Sequence, residues 1–162
     1  AAGGHHRRSG RTLLPDADRA TAMPVSDDDG LRELLSMDPI AVVGCSSTPG
    51  KAAHDIPTYL QEHGYQVIPV NPYADEVLGR EAYDSLADVE EEIELVDVFR
   101  PSDEVAGIVD DVLARREDRG DVDGVWLQLG ITDDEALARA EDAGLLTTQD
   151  RCMKVEHGRL VA

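Results

Sequence analysis

The feature that most limits what this chain can become is the spacing of five short apolar runs, at residues 40–44, 65–70, 95–99, 124–128 and 145–148. Each is built mainly from Val, Ile and Leu and ends on or just before Gly or a polar residue, as a buried strand requires. Helical spacing fills the gaps. Ser26 to Asp29 form a cap with acids in the first turn, and Leu31, Leu34 and Leu35 follow until Asp38-Pro39 stops the helix. Ile56, Tyr59 and Leu60 mark a helix over 53–63 that Gly64 ends; Pro57 is tolerable there if it falls in the first turn. Behind Ser102, the residues Val105, Ile108, Val109, Val112 and Leu113 give the most regular helical face in the chain, with Gly120 beyond its end. Thr132-x-x-Glu135 reads as a capping box opening a helix through Ala143. The stretch 73–94 reads as an irregular link with a short strand near 81–83 and a turn of helix capped by Ser85. Strands and helices in this alternation predict an α/β fold: a doubly wound sheet, mostly parallel, of about five or six strands with helices on both faces.

Ligands in such sheets lie outside the carboxyl ends of the strands. The first strand end is the most informative, because Gly44-Cys45-Ser46-Ser47-Thr48-Pro49-Gly50-Lys51 is a small, hydroxyl-bearing loop running into a helix. Backbone N–H groups and the positive end of the helix suit a phosphate there. The loop spells neither G-x-G-x-x-G nor G-x-x-x-x-G-K-[ST], since Ala52 follows Lys51, so a plain structural turn stays open beside the phosphate reading. The other strand ends supply Val70 to Pro72, Phe99 to Pro101, and Gln128 to Ile131. Asn71-Pro72 stands where a dinucleotide site usually has an acid for the ribose, which weakens a nicotinamide reading. Cys45 reads either as a thiolate activated near a helix N-terminus or, preferably, as a small buried residue. Trp126 reads as core.

Charge narrows the function further. With 34 acids against 15 bases the net charge is −19, which argues against nucleic acid as a partner. Only Lys51 and Lys154 are lysines, beside 13 arginines. An acidic, lysine-poor chain that still carries a core suggests work in high salt, where screening suppresses self-repulsion, and hence a halophile's cytoplasm. No run of 18 apolar residues offers a membrane span. Cys45 and Cys152 lack metal-type spacing and read as reduced thiols. Residues 1–22 differ from the rest, with four arginines and two acids and no sustained periodicity. They are expected to form a disordered tail, an addition either from an upstream start or from cloning, leaving one domain over 23–162.

With these segments in place the chain resembles the stand-alone CoA-binding proteins, relatives of the CoA-binding domain of the succinyl-CoA synthetase α subunit. The resemblance rests on VVGCSSTPGK, YLQEHGYQVIPVNP, VLGREAYDSL, VDVFRPS, VWLQLGI and AGLLTTQDRCMKVE, in that order, between about residues 30 and 160. It implies a Rossmann-like fold that binds coenzyme A or an acyl-CoA through its ADP part. Carried over by position, Gly44, Ser46, Ser47 and Lys51 fall on the phosphates; Val70, Asn71 and Pro72 lie beside the nucleoside; Phe99, Arg100 and Pro101 form the opposite wall. Cys45 and Gln128, at the ends of their strands, complete the candidate set. Lys51 stands where arginine is common, which keeps the charge and loses the fork; Ala52 and His54 depart from the family pattern too. The synthetases carry their phosphorylated histidine in a second domain, so the resemblance implies no ligase chemistry from this chain alone. It leaves a homodimer or a partner ligase subunit as possible assemblies. A CoA-binding subunit of a split synthetase and an NAD(H)-binding sensor domain are the two alternatives.

Overall fold

The computed structural model describes residues 24–161. The expected tail over residues 1–22 lies outside them. Along the chain run α1 (Asp28–Leu35), β1 (Ile40–Val43), α2 (Ala52–Glu62), β2 (Val67–Val70), β3 (Glu76–Val77), β4 (Arg80–Glu81), β5 (Leu95–Val98), α3 (Val105–Arg119), β6 (Gly124–Leu127), α4 (Asp134–Asp142), β7 (Leu146–Thr148) and α5 (Met153–Leu160). Short 3-10 turns at Leu86–Asp88 and Ser102–Glu104 precede β5 and α3.

Five of the strands form one parallel sheet in the order β2-β1-β5-β6-β7, and β3 and β4 pair as a separate antiparallel hairpin. The α/β sheet with helices on both faces is therefore observed. Side-chain alternation divides the core in two. Ala41, Val96, Val98, Val125 and Leu127 pack with α3 and α4 on one face. Ile40, Val42, Leu95 and Trp126 pack with α1, α2 and α5 on the other. Removing such a side chain from water contributes about 1.5–3 kcal/mol. Close packing has a local requirement at Gly124, where a Cβ would meet Leu34 Cδ2 and Met37 Sδ at 2.8 Å, so only glycine lets α1 lie this near β6.

Both sheet edges are covered. The Val25 amide donates to the Thr147 carbonyl (2.6 Å), and Thr148 Oγ1 donates to the Val25 carbonyl (2.6 Å), which lays residues near 25 along β7. On the other side the Tyr83 amide donates to the Pro69 carbonyl at 3.0 Å. A proline is tolerated in β2 because its missing N–H falls on this edge.

Three local expectations change. Helix α2 begins at Ala52, so Pro57 lies in its interior, not in the first turn. The carbonyl that Pro57 cannot bond, that of Ala53, accepts the Ser46 amide at 2.9 Å, so the proline releases an acceptor that anchors the loop after β1. Helix α4 is capped by Asp133, whose Oδ1 accepts the Ala136 amide at 3.0 Å, one residue later than the Thr132 box. Helix α5 has no counterpart in the sequence expectation. Its buried residues are Met153, Glu156 and His157, so two of the three are polar and leave no apolar period to read. It docks on α2 through a Tyr59 hydroxyl–His157 Nδ1 bond of 2.9 Å and edge contacts between His157 and the rings of Tyr59, His63 and Tyr65.

Candidate functional site

The winding reverses between β1 and β5: the chain steps outward from β1 to β2, then crosses back to β5. A crevice opens at such a reversal, outside the carboxyl ends of the strands. Here it is a cleft of about 570 Å³ lined by Gly44, Ser46, Ser47, Thr48, Lys51, Val70, Asn71, Pro72, Tyr73, Phe99, Arg100 and Glu104, among others.

Gly44 sets its floor. The residue has φ +88°, and a Cβ there would meet Arg100 Cδ at 2.8 Å and the Phe99 carbonyl carbon at 3.3 Å. The Arg100 stem thus lies directly across the turn, with its guanidinium on the cleft. Beyond Gly44 the loop is tied to its own helix. Besides the Ser46 amide bond to Ala53, the Thr48 amide donates to Ser46 Oγ (3.0 Å) and the Gly50 amide donates to Asp55 Oδ1 (3.1 Å). That Gly50 amide bond, together with His54, holds the Asp55 carboxyl below its usual range. Lys51 occupies the N-cap position of α2 without a capping bond. Its side chain lines the cleft and makes no ion pair with a described residue.

Asn71 joins two walls. Its Nδ2 donates to the Cys45 carbonyl (2.9 Å), and its Oδ1 accepts the Tyr73 amide (2.8 Å) in an Asx turn. An acid could not make the first bond. The turn turns Tyr73 outward at the cleft rim, 91% exposed. Across from it, Arg100 holds Glu104 in a two-pronged bond: Nε to Oε1 at 3.0 Å and Nη2 to Oε2 at 2.8 Å. That contact pushes the guanidinium up and holds the Glu104 carboxyl below its ordinary value.

Of the sequence candidates, Gly44, Ser46, Ser47, Lys51, Val70, Asn71, Pro72, Phe99 and Arg100 come together on this cleft. Cys45, Pro101 and Gln128 do not line it. Cys45 is fully buried under α1 and α2, and burial, with the nearby Asp97 carboxyl, pushes its thiol up to about 12. It sits in the core as a small buried residue. Gln128 is buried as a strut: its Nε2 donates to Asp97 Oδ1 (2.6 Å), and its Oε1 accepts the Met153 amide (3.2 Å) at the start of α5. Asp97 is fully buried, its Oδ2 has no hydrogen-bond partner among the described residues, and burial raises its carboxyl to about 7.

The sequence reading missed Tyr73 and Glu104, and held Thr48 only as part of the loop over 44–51. Glu104 carried a readable signal, the i,i+4 spacing from Arg100. Tyr73 carried only its adjacency to the second strand end.

Comparison with known proteins gives a consistent picture. Residues 38–158 match a family model described as a CoA binding domain. The YneT protein of Bacillus subtilis is 36% identical over 118 residues, 73% of this chain and 84% of that protein. A solved protein of Pyrococcus horikoshii superposes with a TM-score of 0.78 at 38% identity, covering 86% of this chain and 96% of that one. An ADP-forming acetate–CoA ligase of Archaeoglobus fulgidus is 31% identical over 106 residues, 64% of this chain but 15% of the ligase.

Proposed function

This chain belongs to the CoA-binding domain family, and we propose that it binds coenzyme A or an acyl-CoA through the ADP moiety, as a binding module and not as an enzyme by itself. The observation that carries the reading is the cleft at the β1/β5 reversal. There Lys51, which makes no ion pair with a described residue, and the Ser46–Ser47 turn line the same space as Arg100. A diphosphate placed on this loop meets a cation and the amino end of α2. Tyr73 and Pro72 offer flat apolar surface at the β2 end, where the adenine would stack. The absence of an acid at that strand end favours CoA over NAD, because nothing there grips a ribose hydroxyl pair. The buried Cys45 thiol supports binding over covalent chemistry.

A second reading, in which the module serves as the CoA-binding part of a split synthetase and acts with a partner ligase subunit, draws on the similarity to a short portion of the Archaeoglobus ligase. Among the described residues no helix is long and apolar enough to cross a membrane. The charge of −19 supports a high-salt, cytoplasmic setting for a single domain over 23–162. Thermal melts should show the midpoint falling as KCl is withdrawn, and a midpoint indifferent to salt would remove that setting.

Calorimetry in multimolar KCl tests the ligand. CoA should bind more tightly than NAD. Preference for NAD, or no CoA binding at millimolar ligand, would sink the proposal.

A further inference from the structure

The fork of Arg100, the group a phosphate would grip from the far wall, is filled by a carboxylate of the same chain. Glu104 meets it at two atoms, 3.0 and 2.8 Å, and both residues line the cleft. We propose that Glu104 is a specificity-determining residue of this cleft: an internal competitor for Arg100 that yields to a diphosphate and turns away ligands offering one carboxylate. The inference rests on reading the cleft as the seat of the CoA diphosphate.

Geometry makes the exchange possible. The Arg100 stem crosses Gly44, which has no side chain to block it, so its guanidinium can reach the loop after β1. Glu104 ends the short turn Ser102–Glu104, whose start is fastened by the Thr132 amide donating to Ser102 Oγ at 2.9 Å. The Glu104 side chain can therefore swing while the turn stays in place. The side chains are 43% and 45% exposed, so a released carboxylate passes into water and is not stranded.

Charge decides which ligands win. A ligand with a single carboxylate would replace one two-pronged bond by another and gain nothing from Arg100. A diphosphate adds a second charge, within reach of Lys51 and the loop, and a charge-assisted bond to phosphate outweighs an exposed carboxylate pair.

The test compares the full chain with Glu104→Gln, Arg100→Ala and the double variant, titrated calorimetrically with inorganic pyrophosphate, acetate and CoA. Thermal melts check that each variant is folded. Glu104→Gln should bind pyrophosphate and CoA about fivefold more tightly, the scale of one exposed ion pair. Acetate binding should become measurable in Glu104→Gln, and most of the gain should vanish when Arg100 is Ala. Equal or weaker anion binding by Glu104→Gln, or the same gain without Arg100, would overturn the assignment. If pyrophosphate tightens in Glu104→Gln while CoA binds no variant, the Glu104 competitor stands and the CoA reading falls. If CoA binds parent and Glu104→Gln alike, the competitor falls and the CoA reading stands.

Discussion

Arg115 and Arg100 each hold a nearby carboxylate, one beneath α3 and the other at the mouth of the cleft. Arg115 and Asp121 have side chains only 2% and 6% exposed. The Arg115 guanidinium donates to both oxygens of Asp121 and to the carbonyls of Leu86, Val89 and Glu91, so it staples the segment before β5 to the end of α3. Asp121 in turn accepts the Ile93 amide at 3.0 Å. Arg100 has one carboxylate partner among the described residues, and both members face solvent and the cleft. The same pair of functional groups is thus a fixed joint where every donor is used internally, and a replaceable contact where the fork opens onto a ligand space. Damage at the first should appear in stability, and damage at the second in binding.

The largest effect is expected at the buried joint. Arg115→Met leaves Asp121 buried without its cation and takes a donor from three carbonyls, of which that of Leu86 keeps the Val89 amide at 3.3 Å. It should destabilise the fold by about 3–5 kcal/mol, read as a lowered denaturant midpoint, whereas Arg100→Ala should leave that midpoint nearly unchanged. Equal losses at the two sites would erase the distinction.

Asp97 sharpens it from another side, as a buried carboxyl with no arginine partner among the described residues. Its folded pKa, about 7, lies above the ordinary 3.8. The folded state therefore keeps a proton that the unfolded chain gives up as pH climbs from about 4 to 7, and stability falls across that window. Asp97→Asn should flatten the decline and raise stability at pH 8 by an amount on the order of 2–4 kcal/mol. Unfolding free energies of parent and variant at pH 4.5 and 8 decide this; parallel pH profiles would mean that Asp97 is ionised in the fold.

At the cleft, Tyr73→Ala should weaken CoA by roughly tenfold, the scale of one base-stacking contact. Tyr73→Phe should keep the affinity, and phosphopantetheine, which lacks the base, should bind both variants like the parent. A loss with phosphopantetheine too would point to collapse of the Asx turn and not to stacking.

Much of this architecture was legible in the sequence, for identifiable reasons. The strands β1, β5 and β6 show as Val- and Leu-rich runs because both faces of a parallel sheet are buried. The loop from Gly44 to Lys51 shows because a glycine follows an apolar run and a lysine precedes a helical pattern. What stayed hidden depends on partners distant in the chain. Helix α5 packs through Glu156 and His157, polar residues whose burial is set by α2. Gln128 belongs to a strand end like the true cleft residues, but the sheet's alternation aims it toward Asp97 and α5. Glu104 shows its i,i+4 spacing from Arg100, but among 34 acids that spacing gains meaning only when the fold brings both residues onto the cleft.

The central claim is that this cleft grips the CoA diphosphate, and Lys51 bears on it most directly. Calorimetric titration of CoA into the parent, Lys51→Ala, Lys51→Arg and Lys154→Ala should show roughly a tenfold loss for Lys51→Ala, one charge-assisted contact at 1.4 kcal/mol per decade. Lys51→Arg should retain most of the binding, and Lys154→Ala, which removes the other lysine and lies outside the cleft, should change little. Unchanged CoA affinity in Lys51→Ala, or a greater loss in Lys154→Ala, would contradict the account.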